Sequence, residues 1–573
     1  MCGIFGSLNG SQISDNELLT VEKMLSKRGP DGGNTVLIDD VLLHHSRLAF
    51  VEIGAKGQQP YKSSCGNYLF VYNGEIYNVH ELKEKYEKLN LKSNSDTELL
   101  CELLITYGLS GLDQVDGMYA FALFDREKKE VTLGRDPMGM KPLYYNTSGN
   151  SLRFSSSLDL VVNNKSNICE IGKKSFLMFG YTIAPFTLYE EVKQLRSGEL
   201  LTYSMSNRCV KNIERRRYDL FKSGPTKNID VKHQTEVINL SLREHLKSEV
   251  EVGSLLSGGL DSSLLSAMSS KIVPNLKCIS ISFSEDGFDE GYYQKKLIKS
   301  LDDDVIHFQK KYSYSEFKND YFKYLDLLEF PIIDGFNSYL VTKEVKNRSL
   351  KGVISGQGSD EIFYGYKSFK KFSKSTWYRD LYYYFKYYKA CANVKGYRTK
   401  VLIAQYLSAK LYFPIGDFTK SHSDQKSVNE LVLEIVNSAE FLLGDKFENF
   451  DNLQVCSALE LSCRLSNELM IKDDFFAMQN SIEVRNPFLS KRILEFFTSL
   501  SSEIILAKGH VGQKKLLQVI AEAYVPDEVI YRRKVGFSVP YRVWLPKLYS
   551  NYSRTKSYAQ NLISILSKRF FDD

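Results

Sequence analysis

Two hydrophobic patterns divide the chain. In its first part, short runs that mix apolar with small residues predict strands at 119–124 and 131–133, typical of sheets with covered faces. From about residue 233, strand-like runs alternate with segments of helical period. The predicted strands are 252–256, 276–283 and 305–308, with a helix at 290–301 before the last of them. Strands interleaved with helices predict a parallel, doubly wound sheet, which binds ligands at the carboxyl ends of its strands.

A serine- and glycine-rich stretch, 257–263, connects the first of these strands to the start of a helix at Leu264. A helix N-terminus has free N–H groups and attracts anions, and Gly258 and Gly259 let the backbone approach an oxygen-rich ligand. The common nucleotide loop has a lysine before Ser/Thr, whereas this one has Asp261. An acid beside phosphates needs a divalent cation, so Asp261 is a candidate Mg²⁺ ligand. The alternative is a plain turn between a strand and a helix.

A second glycine loop follows a predicted strand at 352–355 and carries Asp360, a second candidate Mg²⁺ ligand. Near the C-terminus, Lys534 lies in a glycine-containing loop and is predicted to contact phosphate. A surface lysine is the alternative there. The region between is rich in helical and aromatic sequence, so additional helices are expected. For its Tyr/Lys-rich part, 377–388, core or helix-packing aromatics are favoured over a surface that stacks nucleic-acid bases.

Cys2 is a candidate nucleophile. It is followed by Gly3, and because both residues are small, removal of Met1 is expected. The free α-amine would then have a pKa of about 7.7–8.0 and could act as a base for the thiol of the same residue. The alternative is a cysteine that only packs within a short apolar strand.

Amide, carboxylate and guanidinium groups follow in the next hundred residues. Arg47 stands in an apolar strand and is expected to meet a carboxylate, because an unpaired arginine is costly to bury. Asn73 and the Gly74 N–H could donate to an oxyanion, and Glu75 could accept from an ammonium. Asp96 either helps to cap the helix that follows or provides a second acceptor for that ammonium.

Composition excludes several classes of protein. The 573 residues require two or more domains, and 43% hydrophobic and 25% charged residues are ordinary for a globular protein. The net charge of +6 is small and the lysines are scattered, which argues against a nucleic-acid partner. Nine cysteines without a CxxC pair argue against disulfides and zinc. No segment has the features of a signal peptide or a membrane span, so a cytoplasmic protein without a membrane partner is expected.

Residues 1 to about 145 resemble the class II glutamine amidotransferase domain, an N-terminal-nucleophile (Ntn) hydrolase. MCGIFG, RGPDG, HSRL, NGEIYN, SDTE, DGMYAFALFD and GRDPMGMKPLYY occur in that family's order. The resemblance implies a four-layered αββα sandwich with Cys2 as nucleophile, Asn73 and Gly74 as oxyanion hole, and Arg47 on the α-carboxylate of glutamine. The residues implied to bind glutamine are Arg47, Leu48, Val51, Asn73, Gly74, Glu75 and Asp96, with the two acids on its α-amine.

The second half resembles the synthetase domain of glutamine-hydrolysing asparagine synthetases, whose loop is that of the N-type ATP pyrophosphatases. LLSGGLDSS, GFDE, SGQGSDEIFYGY, EVRNPFL and RRKVGFSVP recur in order. These enzymes cut ATP to AMP and pyrophosphate and adenylate a carboxylate. The resemblance places Ile281 against adenine, Lys534 at the adenylation centre, and Mg²⁺ on Asp261 and Asp360. The implied ATP-binding residues are Leu256, Ser257, Gly258, Gly259, Asp261, Ser262, Ser263, Ile281, Ser355 and Gly356.

The predicted architecture is therefore two domains of mixed α/β and α+β class. Residues 1–210 form the glutaminase sandwich, 211–232 a linker, and 233–573 the doubly wound ATP pyrophosphatase domain with extra helices. The reaction implied is amidation of a carboxylate, by default aspartate, with glutamine, ATP and Mg²⁺. A homodimer is possible by this resemblance. Ammonia released at the first site would cross internally to the second.

Several residues depart from the family pattern. Gln357 stands where many asparagine synthetases have a glutamate, and glutamine cannot act as a base. The segment 474–478 lacks a usual cation and serine, Ser490 replaces an aspartate, and Tyr364 replaces a glycine. These changes are expected to cluster near the acceptor, which leaves another carboxylate, such as a uronic acid of a surface polysaccharide, as the alternative substrate. A non-catalytic relative would be expected to lack Cys2 or Asp261, and both are present.

Overall fold

A computed structural model describes residues 2–8, 13–163, 166–222, 230–285, 287–374, 376–507, 509–533 and 538–571. The chain folds into an N-terminal sandwich of two antiparallel sheets and a C-terminal domain built on one parallel sheet surrounded by helices. This architecture confirms the predicted fold class. Among the described residues, no helix is both long enough and apolar enough to span a bilayer.

Twelve strands build the two N-terminal sheets, which run β10-β8-β9-β1-β3-β2 and β12-β11-β7-β6-β5-β4. The strands are β1 Gly3–Leu8, β2 Gly32–Ile38, β3 Val41–Arg47, β4 Tyr61–Lys62, β5 Tyr68–Ile76, β6 Gly117–Asp125, β7 Glu130–Arg135, β8 Tyr144–Asn146, β9 Leu152–Ser155, β10 Val192–Gln194, β11 Glu199–Ser204 and β12 Cys209–Arg215. In the described part of this domain the α-helices are α1 Asp15–Leu25, α2 Val79–Lys85, α3 Asp96–Tyr107 and α4 Glu170–Phe179.

Alternating side chains give each sheet two apolar faces. Ile4 of β1 and Val71 of β5 belong to one buried cluster between the sheets. Phe70, one position away on β5, faces the other way and packs with the apolar residues of α3. On the outside of the first sheet, Phe5 packs with Leu25 of α1. The layers are therefore helix, sheet, sheet and helix, because a strand buried on both faces needs cover on each.

The last strand of the sandwich occupies part of the segment predicted as a linker. Strand β12 pairs with β11 through Arg215, so residues 211–215 belong to the sheet. Helix α5, Val231–Leu246, begins just before the predicted end of the linker. The central residues 223–229 lie outside the described part of the chain.

The C-terminal sheet is entirely parallel and has the order β15-β14-β13-β16-β17. Its strands are β13 Val252–Leu255, β14 Lys277–Phe283, β15 Ile306–Tyr312, β16 Gly352–Ile354 and β17 Glu483–Arg485. The chain proceeds outward from β13 to β15, then returns to the other side of β13 for β16. This reversal makes the carboxyl ends of β13 and β16 a topological switch point, where ligands of such sheets bind.

The remaining helices cover the parallel sheet and form a helical subdomain beside it. They are α6 Leu260–Ser270, α7 Gly291–Ile298, α8 Tyr314–Leu327, α9 Phe336–Asn347, α10 Ser359–Ile362, α11 Lys367–Ser373, α12 Trp377–Tyr387, α13 Tyr397–Lys410, α14 His422–Leu443, α15 Asn452–Leu459, α16 Met470–Gln479, α17 Lys491–Thr498, α18 Ser502–Leu506, α19 Lys515–Ala521, α20 Asp527–Ile530, α21 Tyr541–Leu548 and α22 Tyr558–Phe571. A π-helical segment, Glu460–Leu469, joins α15 to α16 without a break.

The aromatic segment 377–388 differs from its prediction. Helix α12 packs on α13, with the rings of Tyr384 and Tyr397 tilted against each other at 5.1 Å between centroids. The opposite face is exposed, since Phe385 is 68% and Tyr382 57% accessible. The expectation of core or helix-packing aromatics is therefore wrong for this face, because one helix in this position can bury only one side.

Candidate active sites

Cys2 and Asn73 lie side by side in the sandwich. Cys2 precedes β1 and is buried, and its backbone N–H donates to Asn73 Oδ1 at 2.8 Å. This bond orients the amide, so Nδ2 faces away from it, and no described residue accepts a hydrogen bond from Nδ2. An unsatisfied buried donor costs about 1–3 kcal/mol. A ligand oxygen beside Cys2 would satisfy it.

The Cys2 thiol is itself desolvated. Burial raises the pKa of the thiol above its ordinary value, although a hydrogen bond from the Leu48 backbone opposes the shift. The thiol is therefore protonated at neutral pH and needs a base before it can attack. Of the two apolar residues predicted to bind glutamine, Leu48 is buried and Val51 is partly buried.

Arg47 differs from its prediction. Its guanidinium donates to the backbone carbonyls of Gly54, at 2.9 Å, and of Glu52. The expected carboxylate partner is absent among the described residues, because the chain after β3 folds back and its carbonyls take the guanidinium instead. A ligand carboxylate would compete with these carbonyls.

Glu75, which is buried, and Asp96, which is partly buried, form an acidic pair. Burial raises the pKa of Glu75 to about 8, and the nearby charge of Asp96 adds to this shift. Burial also raises the pKa of Asp96, whose carboxylate accepts from the Tyr72 hydroxyl at 3.0 Å and from the Ile76 N–H at 3.2 Å. Ser95 is the N-cap residue of α3, so Asp96 is free to face the site. The pair suits a cationic ligand group.

Two residues of the C-terminal domain reach this site, and sequence reasoning did not assign them. Arg485 of β17 lies with Nη2 3.4 Å from Glu75 Oε1, and its Nε donates to Glu483 at 2.5 Å. Its guanidinium also lies over the rings of Phe50 and Tyr77. In the sequence, Glu483 and Arg485 are visible only as a charged pair on either side of a valine in an apolar segment. No local pattern indicates that Arg485 has a partner 410 positions away, at Glu75.

The second site lies at the switch point of the parallel sheet. The loop after β13 turns at Gly258, whose φ of +85° favours glycine. A side chain at Gly356, in the loop after β16, would place its Cβ 3.0 Å from Asp261 Cβ, so the two loops are in direct contact. Ser257 Oγ and Ser262 Oγ lie 2.9 Å apart and hold the first loop closed over the start of α6. Ser263 is fully buried beneath it.

Asp261 and Asp360 converge on one lysine. Lys514 Nζ lies 2.6 Å from an oxygen of each acid and donates to Ser359 Oγ at 3.0 Å. Burial alone would lower the pKa of Lys514, but the two acids hold it above its ordinary value. The sequence did not predict this role for Lys514, because two adjacent lysines are typical of a solvated surface. The site thus pairs two carboxylates with one cation.

A cavity of about 870 Å³ opens above these loops. Of the residues predicted to bind ATP or metal, those that line it are Leu256, Ser257, Gly259, Asp261, Ser262, Ile281, Ser355, Gly356 and Asp360. Gly258 and Ser263 support the loop from behind, and Lys534 lies outside the described residues. The described lining carries six lysine or arginine and four aspartate side chains, a balance that favours a polyanion.

The residues that depart from the family pattern lie in different surroundings. Gln357 lines the cavity, but residues 474–478, Ser490 and Tyr364 do not. Ser490 caps α17, and the Tyr364 hydroxyl bonds to Ser502.

The two domains are joined by a buried ion cluster. Asp474 of α16 accepts from Arg28 at 2.6 Å and lies 3.2 Å from Lys141 Nζ, both in the sandwich. Burial alone would raise the pKa of Asp474, but these two cations hold it below its ordinary value. The cluster fixes α16 against the first domain.

Known proteins share both halves of this arrangement. Residues 1–215 match the glutamine amidotransferase domain and 234–563 match asparagine synthase. Glutamine-hydrolysing asparagine synthetase 1 of Bacillus subtilis is 29% identical, over 95% of this chain and 88% of its own. The putative asparagine synthetase 2 of Methanocaldococcus jannaschii is 29% identical over 64% and 76%, and asparagine synthetase B of Escherichia coli 28% over 65% and 66%. With the asparagine synthase match covering more than half of its length, the chain belongs to the asparagine synthase family.

Proposed function

We propose that this chain converts a carboxylate to an amide, with glutamine as nitrogen donor and ATP as the activating substrate. The acceptor carboxylate is aspartate, so the products are asparagine, glutamate, AMP and pyrophosphate. The family match and the two separate sites support this proposal.

The first half-reaction is the release of ammonia at Cys2. The thiol attacks the side-chain amide of glutamine, and Asn73 Nδ2 with the Gly74 N–H stabilises the oxyanion that forms. Because burial keeps the thiol protonated, the α-amine of the processed chain takes its proton and passes it to the amide nitrogen as the C–N bond breaks and ammonia leaves. Water then hydrolyses the thioester on Cys2 and releases glutamate. Glu75 and Asp96 hold the α-ammonium of glutamine. Arg47 releases the backbone carbonyls and binds the α-carboxylate of glutamine instead.

The second half-reaction is adenylation in the 870 Å³ cavity. The loop 257–263 and the first N–H groups of α6 bind the phosphates, and Ile281 packs against adenine. Asp261 and Asp360 lie close enough to share Lys514, so their hard oxygen donors fit Mg²⁺, which would offset phosphate charge there. Further positive charge for the leaving pyrophosphate comes from Lys514, from Lys534 and from the arginines that line the cavity.

The convergence of Asp261 and Asp360 on Lys514, at the switch point of a parallel sheet, is the observation that carries the proposal. A loop built to transfer a γ-phosphate places a lysine on the terminal phosphates instead. Here the cation sits between two acids at the helix N-terminus, an arrangement that supports cleavage between the α- and β-phosphates.

The test is product identification by mass spectrometry. The purified chain is incubated with ATP, Mg²⁺, aspartate and ¹⁵N-amide glutamine, and ¹⁵N-asparagine, AMP and pyrophosphate are expected in equal amounts. Reactions without aspartate, and with glucuronate in its place, are the controls. Stoichiometric ADP would contradict the chemistry, and an amide formed from glucuronate alone would contradict the acceptor.

A further inference from the structure

Four aspartates line the synthetase cavity, and they differ in what neutralises them. Asp261 and Asp360 share Lys514, and Asp334 lies 2.9 Å from Lys472 Nζ. These three are held as charged partners of a cation. The fourth, Asp473, lies 3.9 Å from Lys472 Nζ and has only 8% of its surface exposed.

Neutral donors hold Asp473 in place. Ser338 Oγ donates to Asp473 Oδ1 at 2.6 Å, and the Gln357 side chain forms a further hydrogen bond to the carboxylate. Burial raises the pKa of Asp473 above its ordinary value despite these donors and Lys472. A carboxylate with a raised pKa accepts a proton more readily than an ordinary one.

The helix explains why this side chain faces the cavity. Consecutive residues of α16 point about 100° apart. Asp474 therefore points at Arg28 and Lys141 of the other domain, while Asp473 points into the cavity beside Gln357. Gln357 has no usable basicity and can only orient its neighbour.

We propose that Asp473 is the catalytic base of the amide-forming step. Ammonia attacks the acyl carbon of the acyl-adenylate and forms a C–N bond while a proton passes from nitrogen to an Asp473 oxygen. The C–O bond to the phosphate then breaks, AMP leaves with the electron pair, and Asp473 returns its proton to water. This inference rests on the proposed function, because it requires an acyl-adenylate in the cavity.

Glu361, the glutamate nearest to Gln357 in sequence, is a weaker candidate. Burial raises its pKa to about 7, but it is fully buried, hydrogen-bonded to the Tyr366 hydroxyl, and absent from the cavity lining. Ammonia in the cavity would not reach it.

The experiment compares wild type with Asp473→Asn, using ammonia, ATP, Mg²⁺ and either aspartate or glucuronate. The rate of amide formation is expected to fall by about 10²–10⁴-fold. The single-turnover burst of acceptor-dependent pyrophosphate is expected to remain, because adenylation precedes the proton transfer. The rate per free NH₃ should rise with pH in the wild type, as Asp473 ionises, and be flat in the variant.

Two comparisons separate a base from a structural residue. The double variant Asp473→Asn with Gln357→Glu carries a new carboxylate at residue 357, beside residue 473. Amide formation and its pH dependence are expected to recover in part. Asp334→Asn, the matched cavity acid, should keep a rate that rises with pH, displaced to lower pH because the charge of Asp334 helps to raise the pKa of Asp473. An unchanged rate and pH profile in Asp473→Asn would overturn this inference but not the proposed function. No amide from either acceptor in the wild type would overturn the proposed function as well. Loss of the pyrophosphate burst in Asp473→Asn would also overturn the inference.

Discussion

Single residues at the first site are held in states that a ligand would relieve. Asn73 keeps a buried amide donor unpaired among the described residues, and burial raises the pKa values of both Glu75 and Asp96. Arg485 offsets part of the charge on Glu75 from 3.4 Å. Unpaired buried donors and unbalanced charges of this kind are expected where a bound substrate completes the hydrogen bonding and the charge balance.

Cys2→Ala should abolish glutamine hydrolysis and leave synthesis from ammonia intact, because the two half-reactions use separate sites. Glutamate release and ammonia-supported amide formation are measured on the same preparation. Ser7→Ala, which removes a buried hydroxyl from β1, the strand that follows Cys2, is the control for effects on folding. Equal loss of both activities in a folded Cys2→Ala protein would contradict the assignment.

The affinity for glutamine should depend on pH through Glu75. With a pKa of about 8, the empty site is largely protonated at pH 6, whereas the ammonium of glutamine requires the ionised form. Binding at low pH must therefore expel a proton, so KM for glutamine should fall by up to roughly tenfold per unit as pH rises toward 8, then level off. Initial rates of glutaminase from pH 6 to 9 measure this.

Glu75→Gln is the matched variant for this pH dependence. It should bind glutamine weakly at every pH, since the amide cannot ionise, and the slope should vanish. A wild-type slope that persists in Glu75→Gln would assign the titration to another group.

At the scale of elements, the glycine loops after β13 and β16 create the proposed nucleotide site by meeting at the switch point. Sequence periodicity predicted these strands and α6 to within a few residues, because helix and strand periods are local properties. It did not predict β17, a three-residue strand that joins the sheet 128 residues after β16 ends. Short strands of this kind have no pattern long enough to recognise, and their pairing is decided by distant contacts.

Asp261→Asn should remove pyrophosphate release while glutamine hydrolysis persists. The loss of one hard oxygen ligand leaves phosphate charge uncompensated, which we expect to cost several kcal/mol in the transition state. Release of pyrophosphate from ATP and aspartate is the measurement. Asp302→Asn, an exposed acid paired with Lys271 near the end of α6, is the control and should retain full activity.

At the scale of the whole molecule, α16 and β17 connect the two catalytic sites. One side of α16 faces the synthetase cavity through Asp473, and the next residue, Asp474, anchors the sandwich through Arg28 and Lys141. Strand β17 belongs to the synthetase sheet, yet its Arg485 contacts Glu75 of the glutaminase site. A change in either site therefore has a short route to the other.

Asp474→Asn should destabilise the junction between the domains. The variant removes the buried negative charge that Arg28 and Lys141 share, and breaking a buried ion cluster in this way costs about 3–5 kcal/mol. Lys351→Ala breaks the partly exposed pair with Asp31 across the same junction and should cost about 0–1 kcal/mol. Unfolding by denaturant measures both. In Asp474→Asn, glutamine-supported synthesis should fall more than ammonia-supported synthesis, and an equal fall would argue against coupling through α16.

The amino-acid sequence determined the periodic elements, the two glycine loops, and the residue types at Cys2, Asn73 and Asp261, because these follow from local propensity and from motifs of contiguous residues. Tertiary packing decided which distant charges meet. Lys514 lies between two acids, 253 and 154 positions earlier in the chain, and Arg485 lies beside Glu75. Neither contact has a local signature, since the free energy of a buried charge depends on the partners that the complete fold brings to it. The same dependence gives the adjacent acids Asp473 and Asp474 opposite pKa shifts, upward and downward, on one turn of one helix.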